Sequence, residues 1–294
     1  MSIAISTPQK ITKFGWVEEV TKGQIPASAA FNDVLCQEFH PGPVIEHTEQ
    51  AALGTPYLHA IEKLGDRYNV PFTYIPFDSD LLMYFINRTG AKNIDKSLCF
   101  GVGHDLNNGG TLQEQFYFAK GCQCDSVTVT LANESVMVAA ELVSLDVSSP
   151  STSHGITGTP TWAALTLPGW TGLAGGVDPI DWNAVPQKVR GGTITVNNAI
   201  DRIQFLGDAT LSYAQPTTHR VEGSLDIVWK DGTLLADVKA FTKRTCKIEL
   251  GPSTFITLTN AVLHEAPWNL VATETSAMTV SYALKATKAE ITTS

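Results

Sequence analysis

A chain of 294 residues with 43% hydrophobic and 17% charged residues can bury a substantial core, which excludes global disorder. Its formal net charge of -9 excludes a protein that grips a nucleic-acid backbone through clustered Lys and Arg. Cys36, Cys99, Cys122, Cys124 and Cys246 are odd in number and scattered, which fits synthesis in a reducing compartment and not a disulfide framework.

The stretch Met1 to Lys10 has no basic start followed by an apolar run, so no signal cleavage or lipid anchor is expected. The longest strong apolar run, Leu81 to Ile86, is far too short for a membrane span, and no membrane partner is expected. A helix is predicted over Asp78 to Gly90, with Asp78 or Ser79 capping its free amides, Gly90 ending it, and Leu81, Leu82, Phe85 and Ile86 forming its buried stripe. Val127, Val129 and Leu131 then alternate with polar residues, the period of a half-buried strand. That rhythm returns at Ile194/Val196, Leu225/Ile227/Trp229, Cys246/Ile248/Leu250 and Met278/Val280/Tyr282/Leu284, which predicts a mainly β chain of antiparallel sheets. Asn107 to Gly110, Lys230 to Gly232 and Gly251-Pro252 supply turns.

Residues 148 to 192 hold 8 Gly and 5 Pro in 45 residues together with Trp162, Trp170 and Trp182, the composition of a linker or excursion. Three tryptophans are costly in water, so the segment is expected to pack on its own domain or on a neighbouring subunit. A second, shorter helix is predicted over Asp231 to Thr242, with Leu234, Leu235, Val238 and Phe241 on one face. Both helices carry Asp-x-x-Leu-Leu, at Asp78/Leu81/Leu82 and Asp231/Leu234/Leu235. Both precede an aromatic-led strand (Phe116 to Phe118, Phe255 to Thr257) and a strong closing strand (Val136 to Val143, Met278 to Leu284). The pattern points to an internal duplication, with units at 1–147 and 193–294 joined by 148–192. Charge is uneven across it: residues 1–150 carry 9 basic and 17 acidic groups, residues 151–294 carry 11 and 12. The acidic half serves solubility or provides a functional negative surface.

No residues assemble into a recognisable catalytic centre, and the chain is read as a non-enzyme that needs no cofactor. Cys122-Gln-Cys124 has no second ligand pair, and His40 and His47 with Glu38, Glu46 and Glu49 lack a metal-binding register, so no metal site is expected. Asp78 and Asp80 are explained by helix capping, and Gly101-Val-Gly103 and Asn108-Gly-Gly110 read as turns, not phosphate cradles.

The order of elements resembles the major tail tube protein of tailed bacterial or archaeal viruses. The similarity is carried by Phe14-Gly-Trp16 to Ala30-Phe31, the strand and helix from Pro71 to Leu82, Gly121 to Val129, Thr193 to Asn198, and Gly251 to Leu263. The resemblance implies an antiparallel β-sandwich subunit with one helix per unit, contributing strands to a continuous central barrel. It implies self-assembly into stacked rings that form the hollow conduit for viral genome delivery, in a virion tail whose subunits are made in the host cytoplasm. Implied partners are further copies of the chain, the tape measure, tail terminator and distal tail proteins, and viral DNA passing the lumen without tight binding. A long excursion at about His47 to Asn69, with Leu53, Tyr57, Leu58, Ile61 and Leu64, is then expected to reach the adjacent ring, the alternative being a surface helix on its own domain. Two units per chain imply a trimeric ring in place of a hexamer, with Trp162, Trp170 and Trp182 at the seam between units or subunits. Two other readings remain. One is a sandwich carbohydrate-binding module, with the tryptophans as sugar platforms; the other is a capsid or baseplate protein.

Overall fold

The computed structural model describes residues 10–51, 58–108, 111–132, 136–165, 180–203, 213–229, 232–251, 254–266 and 279–293. The first half runs β1 (Lys10–Glu18), β2 (Ala30–Phe31), β3 (Leu35–Phe39), β4 (Gly42–Ala51), β5 (Leu58–Ile75), α1 (Asp80–Ile86), β6 (Leu98–Asn108), β7 (Thr111–Leu131), β8 (Val136–Ser144) and β9 (Asp146–Val147). Next come β10 (Thr161–Trp162), β11 (Ile180–Trp182), β12 (Val185–Gln187), β13 (Val189–Asn197), β14 (Ile200–Ile203) and β15 (Tyr213–Pro216). The chain closes with β16 (Arg220–Val228), α2 (Thr233–Ala240), β17 (Arg244–Gly251), β18 (Thr254–Glu265), β19 (Thr279–Ala286) and β20 (Lys288–Thr293). The fold is mainly β and antiparallel, as the alternating stretches predict, with β2 and β10 as a short parallel exception.

The two halves repeat one pairing scheme. β5 lies between β3 and β8, and β8 pairs β7; likewise β16 lies between β13 and β19, and β19 pairs β18. The second layer is β1-β6-β7-β9 in one half and β11-β17-β18-β20 in the other. Irregularities repeat as well. Register breaks at Cys36/Glu38, Leu98/Phe100 and Cys124/Ser126 have counterparts at Val189/Gly191, Arg244/Cys246 and Leu263/Glu265.

The long strands β7 and β18 belong to both layers of their half, and each turns the corner at one residue of positive φ, Gly121 (67°) and Asn260 (51°). At Gly121 a Cβ would meet the Cγ of Leu145 at 2.6 Å, so glycine is required by space as well as by backbone. Just past each corner a matching amide closes the bend: Leu145 N–H donates to the Lys120 carbonyl at 2.9 Å, and Thr287 N–H to that of Thr259 at 3.1 Å. A bulge conserved in position, hand and hydrogen bond is a designed corner, and finding it twice in one chain ties the halves together by geometry, where the sequence motif alone is short.

The core runs through both halves. Phe72, Tyr74, Phe85 and Phe100 are buried in the first, Leu225, Ile256 and Tyr282 in the second, and Val129 and Ile194 on the strands that join them. A smaller cluster of Phe31, Cys99, Phe118 and Ile156 lies apart, covered by Trp162. In α1 the side chain of Asp78 caps the helix, its Oδ1 accepting the Asp80 N–H at 2.9 Å, while the Ser79 hydroxyl makes no cap bond. Leu81, Leu82, Phe85 and Ile86 are buried as predicted.

Three expectations change. Gly101-Val-Gly103, expected as a turn, lies inside β6, paired with β1 on one side and β7 on the other. In α2 only Leu234 of the expected stripe is buried; Phe241 is 58% exposed, because the helix ends at Ala240 and the left-handed Phe241 (φ 50°) leaves the stripe. Residues 47–51 and 58–69 are strand and not the loop or surface helix expected there. β4 and β5 pair antiparallel from Gly42↔Asn69 to Ala51↔Leu58, so the backbone amides of these two strands are satisfied by sheet pairing.

Candidate assembly surfaces

The two halves of the chain meet along β13 and β7. Six residue pairs, from Gly192↔Leu131 to Asn197↔Ser126, join β13 to β7 and merge the two halves into one hydrogen-bonded sheet. On its face the hydroxyls of Thr128 and Thr195 bond at 3.0 Å. At the end of the seam Asn198, wholly buried, donates its two amide hydrogens to the carbonyls of Phe85 and Cys124, both at 3.0 Å. Its Oδ1 lies 3.1 Å from His219 Nδ1, and His219 Nε2 accepts the Ala289 N–H at 3.3 Å, which assigns the ring proton to Nδ1. Burial, followed by the charge of Arg88, lowers the His219 pKa below its ordinary value and favours this neutral form.

The end of α1 completes the seam from the first half. Asn87, its C-cap, accepts the Ile291 N–H at 2.6 Å and donates back to the Ile291 carbonyl at 3.4 Å, so one side chain satisfies both edge groups of a β20 residue. Arg88 reaches the Thr218 carbonyl at 3.4 Å. Lys22, whose ammonium burial pushes down to about 8, bonds Gln123 of the first half and the Ala214 carbonyl of the second. Sequence reasoning passed over Asn87, Asn198 and His219. The only local signal was the Asn197-Asn198 pair ending the Thr193 strand, since the partners lie far away along the chain.

The expected contact residues fall in different places. Trp162 stacks on Phe31 with ring centroids 4.2 Å apart and planes 10° from parallel, so one of its faces is taken within the chain. Trp182 is buried on β11, against β17, and its indole N–H donates to Asp237 Oδ2 at 2.9 Å. Arg244 grips the same carboxylate with two bonds of 2.9 and 3.1 Å. Burial alone would raise the Asp237 pKa; the bonds from Arg244 and Trp182 outweigh it and hold the carboxyl below its ordinary value. The last part of the expected linker is thus core: Ile180 and Trp182 are buried on β11, between β12 and β17. Trp170, Leu53 and Tyr57 lie outside the described residues, and Leu58, Ile61 and Leu64 stand on β5 in the hairpin.

No group of three or more His, Cys, Asp or Glu side chains placed to hold a metal occurs among the described residues. Cys122 and Cys124 are buried, and burial drives both thiols well above their ordinary pKa, which leaves them inert. His40 pairs with Glu38 at 3.0 Å on an exposed edge. Asp78 is raised by burial against the opposing pull of its bond from the Asp80 amide, the setting of a cap.

β3 ends the path of the large sheet and β4 pairs only β5 among the described residues, whereas β13, which occupies the same place in the second half, is covered by β7. A model of the phage tail tube protein family matches residues 65–292. The chain belongs to that family. No curated protein matches it. Phage tail tube proteins are structural components of the virion tail, which agrees with a β-rich chain; no helix among the described residues is long and apolar enough to cross a membrane.

Proposed function

We propose that this tail tube protein carries two tube units in one chain, that three copies close into a ring of six units, and that the rings stack into the hollow conduit for the viral genome. The observation that carries this reading is the repeated pairing scheme with one unit-to-unit seam already formed inside the chain. Six units with three internal seams leave three between copies, and cyclic closure removes every free sheet edge. The tube's ends and lumen then meet the tail terminator, distal tail and tape measure proteins, and DNA passes without tight binding because the acidic half, with 17 carboxylates against 9 basic groups, offers little phosphate grip.

The chain acts here as a structural part, in keeping with its family. The sugar-binding alternative loses Trp182 as a platform, since it is 3% exposed, and one face of Trp162 is covered by Phe31. The β4–β5 hairpin is the natural inter-ring contact, because a paired ribbon projects without leaving backbone amides bare. His47 and Lys63 are directly opposite, so an Asn-Gly turn can replace residues 48–62 without disturbing the rest. Purified wild-type protein is expected to form long hollow tubes by negative-stain microscopy, and the shortened variant single rings or short stacks. Long tubes from the shortened variant would remove the hairpin from the inter-ring contact, and monodisperse wild-type monomers that bind glycans would overturn the tube reading.

A further inference from the structure

The end of α2 is left over in the single chain. Phe241 caps this helix with a left-handed backbone that costs a non-glycine residue energy, and its ring is 58% exposed. Its counterpart in the first half is Asn87, the C-cap of α1, and Asn87 is fully employed: it holds β20 of the other half through Ile291.

The matching receptor for α2 is also present and empty. In the repeat, β9 takes the place of β20, since Ala119↔Val147 on β7 corresponds to Leu258↔Ala289 on β18. The backbone phase agrees. Ser148 N–H turns inward to the Phe118 carbonyl at 2.9 Å, so its neighbours Val147 and Ser149 turn outward, as Ala289 and Ile291 do toward His219 and Asn87. Beside β9 lies a groove of 420 Å³ walled by Phe39, Tyr117, Val147 and Ser148, and floored along the β3–β4 edge by His40 and Gly42. No other described part of the chain fills it, whereas the equivalent place on β20 is filled by α1.

We propose that this groove receives the α2 end of a second copy of the chain, with Phe241 inserted between Phe39, Tyr117 and Val147 and its backbone against Ser149. The inference rests on the ring reading and specifies its outer seam. The chemistry follows the site: inside the chain a polar cap meets backbone groups, while between copies an aromatic cap meets an apolar groove, the kind of anchor that drives association of separate molecules. The contact is heterologous, α2 of one copy on β9 of the next, and three such contacts related by rotation alone close a ring.

A double variant, Phe241→Cys with Ser149→Cys, tests the contact in assembled tubes, with Cys36→Ser added to remove the only half-buried native thiol. Mild oxidation is expected to give covalent dimers and closed trimers on a non-reducing gel, and each single cysteine variant only monomers. Tubes that assemble normally and yield monomers alone would overturn the contact while leaving the ring reading intact; a wild-type protein that forms no rings would overturn both. Phe241→Asp supplies an independent readout. Its melting temperature is expected to match wild type, because the ring is exposed in the single chain, while the concentration needed for assembly rises by about tenfold or more, equivalent to about 1.4 kcal/mol. Unchanged assembly of Phe241→Asp would contradict the proposal.

Discussion

Trp182→Ala is expected to lower the unfolding free energy by roughly 3–5 kcal/mol, the range for truncating a large buried aromatic. Trp182 is 3% exposed and, with Ile180, supplies the apolar face of β11, a strand of only three residues held between β17 and the equally short β12. Its loss also removes a hydrogen bond to a carboxylate that is nearly enclosed, leaving Asp237 to Arg244 and Thr242. Trp182→Phe separates the two effects, since it keeps most of the packing and loses only the indole N–H. In urea the midpoint for Trp182→Ala should fall well below that of Trp182→Phe, which in turn falls below wild type. Equal midpoints for Trp182→Ala and wild type would show that β11 is not part of the cooperative core.

Asn198→Leu is expected to be almost as damaging, for a different reason. The substitution keeps volume but deprives the Phe85 and Cys124 carbonyls of their donor, at roughly 1–3 kcal/mol for each buried group left unsatisfied. It also leaves the Nδ1 proton of His219 without its acceptor. Because Phe85 and Cys124 belong to the first half and Asn198 to the second, the lesion falls on the seam. Amide exchange should therefore quicken first across β7 and β13, at Ser126 to Leu131 and Gly192 to Asn197, before the interiors of the halves respond. Uniform protection, with wild-type stability, would show that strand pairing alone sets the seam.

Much of the fold was legible because it depends on local periodicity. Val127/Val129/Leu131 and Leu225/Ile227 alternate because one face of their sheet is buried, and those faces are buried. The α1 stripe follows the same logic, and the shared Asp-x-x-Leu-Leu motif pointed to a repeat, with which three pairs of matching register breaks agree. The failures occur where distant partners decide. Trp182 lies in a Gly- and Pro-rich stretch that reads as linker, yet Asp237 and Cys246, well downstream, make it core. Residues 47–69 lack a clean period of two, and their strands are specified by pairing with each other, so the excursion reads as loop. Phe241 fits a helical stripe on paper, but a left-handed cap at the end of a short helix turns it outward. Beyond the Asn197-Asn198 pair, nothing local marks Asn198, because an asparagine ending a strand is ordinary until two carbonyls from the first half converge on it.

The central claim is that one chain supplies two of six units around the lumen, and the native mass of an isolated ring measures it directly. A chain of 31.7 kDa is expected to give a ring mass corresponding to three copies, with averaged cross-sections of the tube showing six similar lobes. A ring of six chains would contradict the account, because the seam between β7 and β13 would then join parts of one unit and the repeated pairing scheme would not count units at all.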